Sequence, residues 1–310
     1  MAIHYLPQHF VRFFGRLNPS QSFEQTAASQ YATIKGLIED RNGRAAVLSP
    51  ECFLQGSYRQ QTAIHAINDV DVVVLCRLWQ PGDGGGSSFG RDEIFQIIAS
   101  PLLNDGRYSQ KVRYNTQSMC IKVELGIKVE ILPVVHKAGN YDSAAEPFRL
   151  YRPERKQWED GFARYHQQRL TLKNSAERTG GNFIPMIKVL KHLRTITGLD
   201  AISFHIECLL YAVPDQYFRG SPADYIPAVL NYIAAIPATT WYANGCRTPC
   251  GDRNIFATTE WPVRNWQLFH NALSVWGRAS QSASQASDRG YAIQFWRIVL
   301  GEDYFPVEAV

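Results

Sequence analysis

The chain has 310 residues, 45% of them apolar and 19% charged, with a formal net charge of +4. That length allows one large domain or two smaller ones with sizeable cores, and the apolar content excludes general disorder. The charge is too small to announce a nucleic-acid-coating surface, so no strong nucleic-acid binding is expected. No run reaches the roughly 20 apolar residues that span a bilayer, so no membrane association is expected either. The opening MAIHYLPQHFVRFFGRL lacks the long apolar core of a secretory signal. Six scattered cysteines suit reduced thiols better than a disulfide framework, which makes a cytoplasmic location the expectation.

Ser22 to Gln25 reads as a capping box, after which Phe23, Ala27, Tyr31, Ile34 and Ile38 recur at helical spacing as far as Asn42-Gly43. Residues 46–48 and 52–54 read as short extended pieces on either side of Pro50. Gly56-Ser57 opens a short polar helical stretch. Residues 69–76, DVDVVVLC, are β-branched and apolar after their two acids, which suits a central strand buried on both faces. PGDGGGSSFG, 81–90, reads as a flexible loop, and 93–103 as a helix. The runs 120–125 and 127–135 read as strands meeting at Gly126 in a hairpin. YRPERK, 151–156, is charged and linker-like. Beyond about residue 160 the pattern is helical, at 183–195, 203–213, 227–236, 266–274 and 284–300. The expectation is an α+β protein: a sheet lobe over residues 1–160, a helical lobe over 161–310, and an active-site cleft between them.

Chemistry concentrates in Gly56-Ser57, eleven further residues, then Asp69-Val70-Asp71. Positions two apart on a strand share a face, so the two acids project together. Carboxylates held side by side repel unless a cation separates them, and hard oxygen ligands suit two Mg²⁺ ions, with Mn²⁺ as a substitute. Backbone amides and the Ser57 hydroxyl, where a strand turns into a helix, can hold a terminal phosphate. A metal pair facing a triphosphate is what nucleotidyl transfer requires. A third carboxylate is wanted from a neighbouring strand. Glu130, in KVEILP, is favoured over Glu124, because an acid amid apolar strand residues is costly unless paired or metal-bound. Either element alone is common and means little; their ordered combination carries the reading.

With these residues in place, the sequence resembles the polymerase-beta-type nucleotidyltransferase superfamily, and within it the bacterial cGAS/DncV-like nucleotidyltransferases of cyclic-oligonucleotide anti-phage signalling (CBASS). The similarity runs over nearly the whole chain. Gln55 through Thr62 to Asp71 resembles the family's nucleotide-binding signature, and Val129-Glu130-Ile131-Leu132-Pro133 its third-carboxylate strand, where aspartate is usual. Ile187 to His192 resembles the helix whose lysine contacts the triphosphate, mapping to Lys191; the tryptophan usual after that lysine is replaced by His192-Leu193. Ser203 to Glu207 resembles the following segment, whose serine helps hold the nucleotide. Phe295 to Pro306 resembles the closing Trp…Gly…Phe element. The resemblance implies a polymerase-beta-like mixed-sheet lobe with a helical nucleotide-binding lobe. It implies a cyclic di- or trinucleotide made from NTPs with release of pyrophosphate. Asp69, Asp71 and Glu130 would be both catalytic and metal-binding; Gly56, Ser57, Lys191, Ser203 and Lys188 would bind nucleotide. The partners implied are the NTP substrates, CBASS accessory proteins and an effector reached through the product.

Plainer readings stand beside these. Lys188 and Lys191 share a helix face, which by itself means only a solvated surface. Ser203 is either a helix cap or a phosphate contact. His205 reads as packed and Glu207 as structural. Cys246 and Cys250, with His270 nearby, are a poor zinc signal because no second cysteine pair follows. Two competing functions are a nucleotidyltransferase that does not cyclise, acting on RNA, protein or a small molecule, and a catalytically dead nucleotide-binding module. All three acids are present, which argues against the dead module.

Overall fold

A computed structural model describes residues 4, 6–65, 67, 69–78, 89–137, 148–161, 163–257 and 261–308. The loop expected at 81–90 lies mostly outside the described residues. Helices α1 (Pro7–Leu17), α2 (Gln21–Ile38), α3 (Gly56–Arg59) and α4 (Arg91–Leu103) belong to the first third of the chain. From α5 (Ala163–Lys173) onward the chain is helical: α6 (Ala176–Thr179), α7 (Phe183–Thr197), α8 (Ser203–Ala212), α9 (Pro222–Ala235), α10 (Ala238–Asn244), α11 (Val263–Gln285) and α12 (Arg289–Leu300). The strands are β1 (Pro50–Gln55), β2 (Asp69–Cys76), β3 (Val112–Arg113), β4 (Ile121–Glu124), β5 (Lys128–His136), β6 (Phe148–Arg152) and β7 (Gln157–Gly161).

The fold is α+β and divides into two compact units. One comprises residues 19–61 and 66–165; the other comprises residues 1–18, 62–65 and 166–310. The first 18 residues and a four-residue stretch between α3 and β2 therefore belong with the helices, not with the sheet that surrounds them in sequence.

The sheet unit holds one mixed sheet. β1 lies antiparallel to β2, β2 parallel to β5, and the far edge of β5 is shared by β4 and β6. Alternation gives the sheet two different faces. One carries Cys52, Val70, Val72, Val74, Val129, Ile131 and Val135 and packs against α2 and α4 through Ile34, Ile38, Ile94, Phe95 and Ile98. The other carries a smaller cluster of Val73, Leu75, Val134 and Phe148 with Phe53, Leu132 and Leu150. The strand expected over 69–76 is present residue for residue, and the expected 120–125/127–135 pair forms the antiparallel β4–β5 ladder.

Several elements differ from expectation. YRPERK is no linker: its first two residues end β6 and the rest turns into β7, with Tyr151 paired to Trp158 across the ladder. Charge on both strands hid that pattern, because the charges pair, Arg152 and Arg155 with Glu159. Residues 44–48 form a 3₁₀ turn, not an extended piece. α2 is capped by Ser20, whose Oγ accepts from the Phe23 amide at 3.1 Å, so Ser22 lies inside the helix.

The helical unit has one continuous core that includes Phe10 and Phe13 of α1, Leu190, Leu193, Ile206, Leu209, Ile226, Leu230, Trp261, Trp266, Trp296 and Phe305. The family-like closing element is a packing unit: buried Phe305 and Trp296 each meet Phe10 edge-on with centroids 5.1 Å apart. α11 runs well past the expected end at Ser274. Its small residues permit a close approach to α9: a Cβ at Gly277 would overlap Asn231. α9 begins at Pro222, with Ser221 and Asp224 forming a capping box, earlier than the Pro227 start expected.

Candidate active site

β2 and β5 run parallel in a register that sets Asp69 beside Lys128 and Asp71 beside Glu130. Paired residues on neighbouring strands share a face, so Asp69, Asp71, Lys128 and Glu130 form one polar patch at the start of both strands. They occupy the face of the small apolar cluster, just before Val73 and Leu132 turn it hydrophobic. Lys122 pairs with Glu130 on β4 and Glu124 with Lys128, so these side chains join the same face. Lys122 and Glu124 are exposed, whereas Glu130 is half-buried.

The patch is electrostatically unbalanced. Burial pushes the Asp71 carboxyl up to about 7; Asp69 and Glu130 push the same way, and Lys128 opposes them. Glu130 is better served, since its carboxylate binds the Lys128 ammonium and lies 3.9 Å from Lys122. Among the described residues no three carboxylate, imidazole or thiolate groups form a finished metal cage. That fits the ion pairing: Glu130 leans toward lysine, and three acids cannot converge on one point without a cation to hold them. The donor set is all oxygen and suits a hard divalent ion.

Gln55 is registered with Asp71, and the chain then turns at Gly56 into the single turn of α3. Gly56 has φ +71°, and a Cβ there would overlap the Asp71 carboxylate, whose Cγ would be 2.9 Å away. The glycine thus supplies both the left-handed turn and the space for the acid. Ser57 follows, half-buried. One turn of helix has only a slight macrodipole, so any phosphate held here rests on the hydroxyl and turn amides more than on the dipole expected from sequence.

The remaining expected residues lie in the helical unit. Lys191 does not present its ammonium to solvent: it is 2% exposed and donates to Thr62 O (3.3 Å), Thr62 Oγ1 (2.8 Å) and Glu207 Oε1 (2.7 Å). Those three bonds use all three of its donors. A triphosphate contact by Lys191 would draw its ammonium away from Thr62 and Glu207. Burial disfavours a charged Glu207, yet Lys191 and His166 outweigh it and hold the carboxyl down to about 2. Lys188, one turn earlier on α7, is half-buried and donates to Asn18 Oδ1 at 2.7 Å. Ser203 is the first residue of α8 and not its cap, which is Ile202; its Oγ accepts from Arg194 Nη1 at 3.1 Å. His205 is buried and stacked on Trp261. The Cys246 and Cys250 thiols are both pushed up to about 12 by burial, and His270 Nε2 bonds to Ile236 O, an arrangement of packing groups.

Four features went unread in the sequence. Lys128 shares the face of Glu130 by the same period-2 rule that joined Asp69 to Asp71, so K-x-E carried that signal. The dependence of Asp71 on a glycine, and the role of Thr62, are contacts between residues distant in sequence and left no local trace. A cavity of about 550 Å³ in the sheet unit is lined by Arg91, Asp92, Thr116, Gln117, Tyr151 and Lys156 among others, and none of the expected site residues lines it.

The second-messenger oligonucleotide or dinucleotide synthetase domain matches residues 5–174, and the C-terminal helical domain of cGAS/DncV-like nucleotidyltransferases matches residues 168–277. A cyclic UMP-AMP synthase of Rhodothermus marinus is 26% identical over 204 residues, covering 59% of this chain and 70% of that one. A cyclic dipyrimidine nucleotide synthase of Legionella pneumophila is 23% identical over 245 residues, covering 69% and 80%. The solved structure of Escherichia coli CdnC in complex with a HORMA protein superposes with a TM-score of 0.70 at 15% identity, covering 96% and 98%, which extends the shared fold to almost the full chain. No helix among the described residues is long and apolar enough to cross a membrane. The chain belongs to the cGAS/DncV-like nucleotidyltransferases, the family of second-messenger oligonucleotide and dinucleotide synthetases.

Proposed function

We propose that this nucleotidyltransferase joins NTPs into a cyclic di- or trinucleotide in the cytoplasm, releasing pyrophosphate, as a signal in anti-phage defence. The observation that carries the reading is the acidic patch: Asp69, Asp71 and Glu130 share one face of two adjacent parallel strands, and the Asp71 carboxyl is pushed up to about 7 by burial and by its acidic neighbours. Such a conflict is resolved by a cation, and the all-oxygen donor set fits Mg²⁺ or Mn²⁺. Two such ions, held by Asp69, Asp71 and Glu130, would lower the pKa of an attacking ribose hydroxyl and balance the charge of the departing pyrophosphate. Glu130, freed from Lys128, or a bound ion would help remove the hydroxyl proton. Gly56 leaves room for Asp71, and the Ser57 hydroxyl with the amides of its turn holds a terminal phosphate.

In the helical unit we assign Lys191, Ser203 and Lys188 to the nucleotide, Lys191 by exchanging a bond to Thr62 or Glu207 for one to phosphate. The functional division near residue 160, with a catalytic core before it and a nucleotide-binding helical domain after it, is part of the same proposal. Accessory proteins and an effector reached through the product are the partners proposed, in line with the HORMA complex of the E. coli relative.

The test is incubation with all four labelled NTPs and Mg²⁺ or Mn²⁺, then phosphatase treatment and mass spectrometry. A phosphatase-resistant cyclic product supports the reading. Pyrophosphate with only linear product, or with labelled RNA or protein, replaces it with a non-cyclising transferase. Nucleotide binding without pyrophosphate release leaves a binding module.

A further inference from the structure

The polar patch of the sheet unit is a small lattice of charge. Across β2, β5 and β4 the register sets Asp69, Lys128 and Glu124 in one row, and Asp71, Glu130 and Lys122 in the next. Four acids face two lysines, an excess of two negative charges when all are ionised. The lysines are not equivalent. Lys128 stands two residues before Glu130 on the same strand, about 7 Å away by strand rise, and its ammonium is bonded to the Glu130 carboxylate. Lys122, directly across the ladder from Glu130, stays 3.9 Å from it. Glutamate has the reach to pair along its own strand; aspartate, a methylene shorter, has less.

Stability does not account for Lys128. The pair is open to water, the lysine side chain 36% and the glutamate 26% exposed, and such a pair contributes about 1 kcal/mol at most. Metal affinity does not account for it either, because an ammonium bound to a ligand carboxylate competes with a cation for the same oxygens. Its effect is on when the site fills. The excess charge of the patch is cancelled by one divalent ion, and two exceed it unless a triphosphate arrives with them. We propose that Lys128 is a positioning residue, a built-in counter-ion that holds Glu130 until nucleotide and metal enter together and so keeps the site from filling with metal alone. The exchange strands no charge: when Glu130 turns away, Lys128 still has Asp69 on one side and Glu124 on the other. This role rests on the metal-dependent function proposed above, and Lys128 acts in it through Glu130.

Titration with Mn²⁺ alone, followed by the loss of the free-ion paramagnetic resonance signal, tests the role without any turnover. Lys128→Met is expected to bind Mn²⁺ about tenfold more tightly than the parent, the scale of removing a unit charge beside a half-exposed ligand carboxylate. Lys128→Arg keeps the charge and should stay within about twofold of the parent, while Lys122→Met, which removes a charge not bonded to Glu130, should tighten binding by no more than about threefold. A site merely damaged by substitution binds metal less tightly, so the direction of the change separates competition from structural loss. The Mg²⁺ concentration at half-maximal pyrophosphate release should fall in Lys128→Met by a similar factor. Unchanged or weakened Mn²⁺ binding in Lys128→Met would overturn the proposal, as would equal tightening in Lys122→Met, which would make the effect one of overall charge. A parent chain that binds Mn²⁺ but releases no pyrophosphate would remove the proposed function, while the titration of Lys128→Met would still decide whether the lysine competes. Absence of Mn²⁺ binding in both parent and Lys128→Met would remove both.

Discussion

Two carboxylates in this molecule, Glu207 buried and Asp71 half-buried, behave in opposite ways. Glu207, in the helical unit, has its counter-charge built in: Lys191 bonds it at 2.7 Å, His166 stands 3.5 Å away, and its carboxyl is held down to about 2. Asp71, in the sheet unit, has acids for neighbours and only Lys128 against them, and its carboxyl is pushed up to about 7. The first is complete as folded. The second is left short of positive charge, which the proposed divalent cation would supply. Burial alone therefore does not tell a structural acid from a functional one; the source of the compensating charge does.

That contrast can be broken most directly at the open patch. Asp69→Asn with Asp71→Asn should reduce pyrophosphate release by roughly 10,000-fold, about 5 kcal/mol, while leaving the fold intact by circular dichroism; residual activity near the parent level would remove the acids from the chemistry. The closed pair should fail in stability. Glu207→Leu alone strands the Lys191 charge in the core and should cost about 3–5 kcal/mol in urea unfolding, with the added Lys191→Met recovering most of it. Acid makes the same point with no mutation. A depressed folded-state pKa contributes stability above the unfolded value of about 4.5 that is lost as pH falls toward about 2. Unfolding followed between pH 5 and 2 should therefore show a loss of up to about 3 kcal/mol that is absent from Lys191→Met/Glu207→Leu.

Smaller effects sharpen the comparison. Asp71→Asn should raise the stability of the metal-free protein at pH 8 by about 1–2 kcal/mol, since it removes the repelled charge, and Mg²⁺ should then add less to Tm than in the parent. A stability loss there would mean that Asp71 is compensated from within. Glu124→Gln, exposed on the same face, should change activity less than about twofold, against on the order of 100-fold for Glu130→Gln; equal losses would reopen the choice between them.

The sheet end of the site was legible because strand periodicity is a local rule. DVDVVVLC and KVEILPVVH announce strands, and period 2 places Asp69 with Asp71 on one face. That Asp71 should lie beside Glu130 depends on the parallel register of β2 and β5, which the sequence suggests only through the resemblance. Lys191 shows the limit. Its motif resembles the family's, but which of two lysines one turn apart faces solvent is set by Glu207, sixteen residues on, and by Thr62, 129 residues away. The β6–β7 hairpin was missed because seven charges in its fourteen residues imitate a linker when their cross-strand pairing is unseen. α1 was missed because its apolar side chains find their partners at the far end of the chain, in Trp296 and Phe305.

Gly56 has a consequence for reading relatives of this chain. A count of acids would score any sequence that retains Asp69, Asp71 and Glu130 as a working enzyme. The carboxylate of Asp71, however, fills the volume that a side chain at position 56 would need. An alanine there would act as a plug, swinging the acid out of line while leaving every charge in place. A family member with three acids and no glycine at this turn is thus the natural place to look for a silent copy, one that keeps the ligand pocket and has lost the reaction.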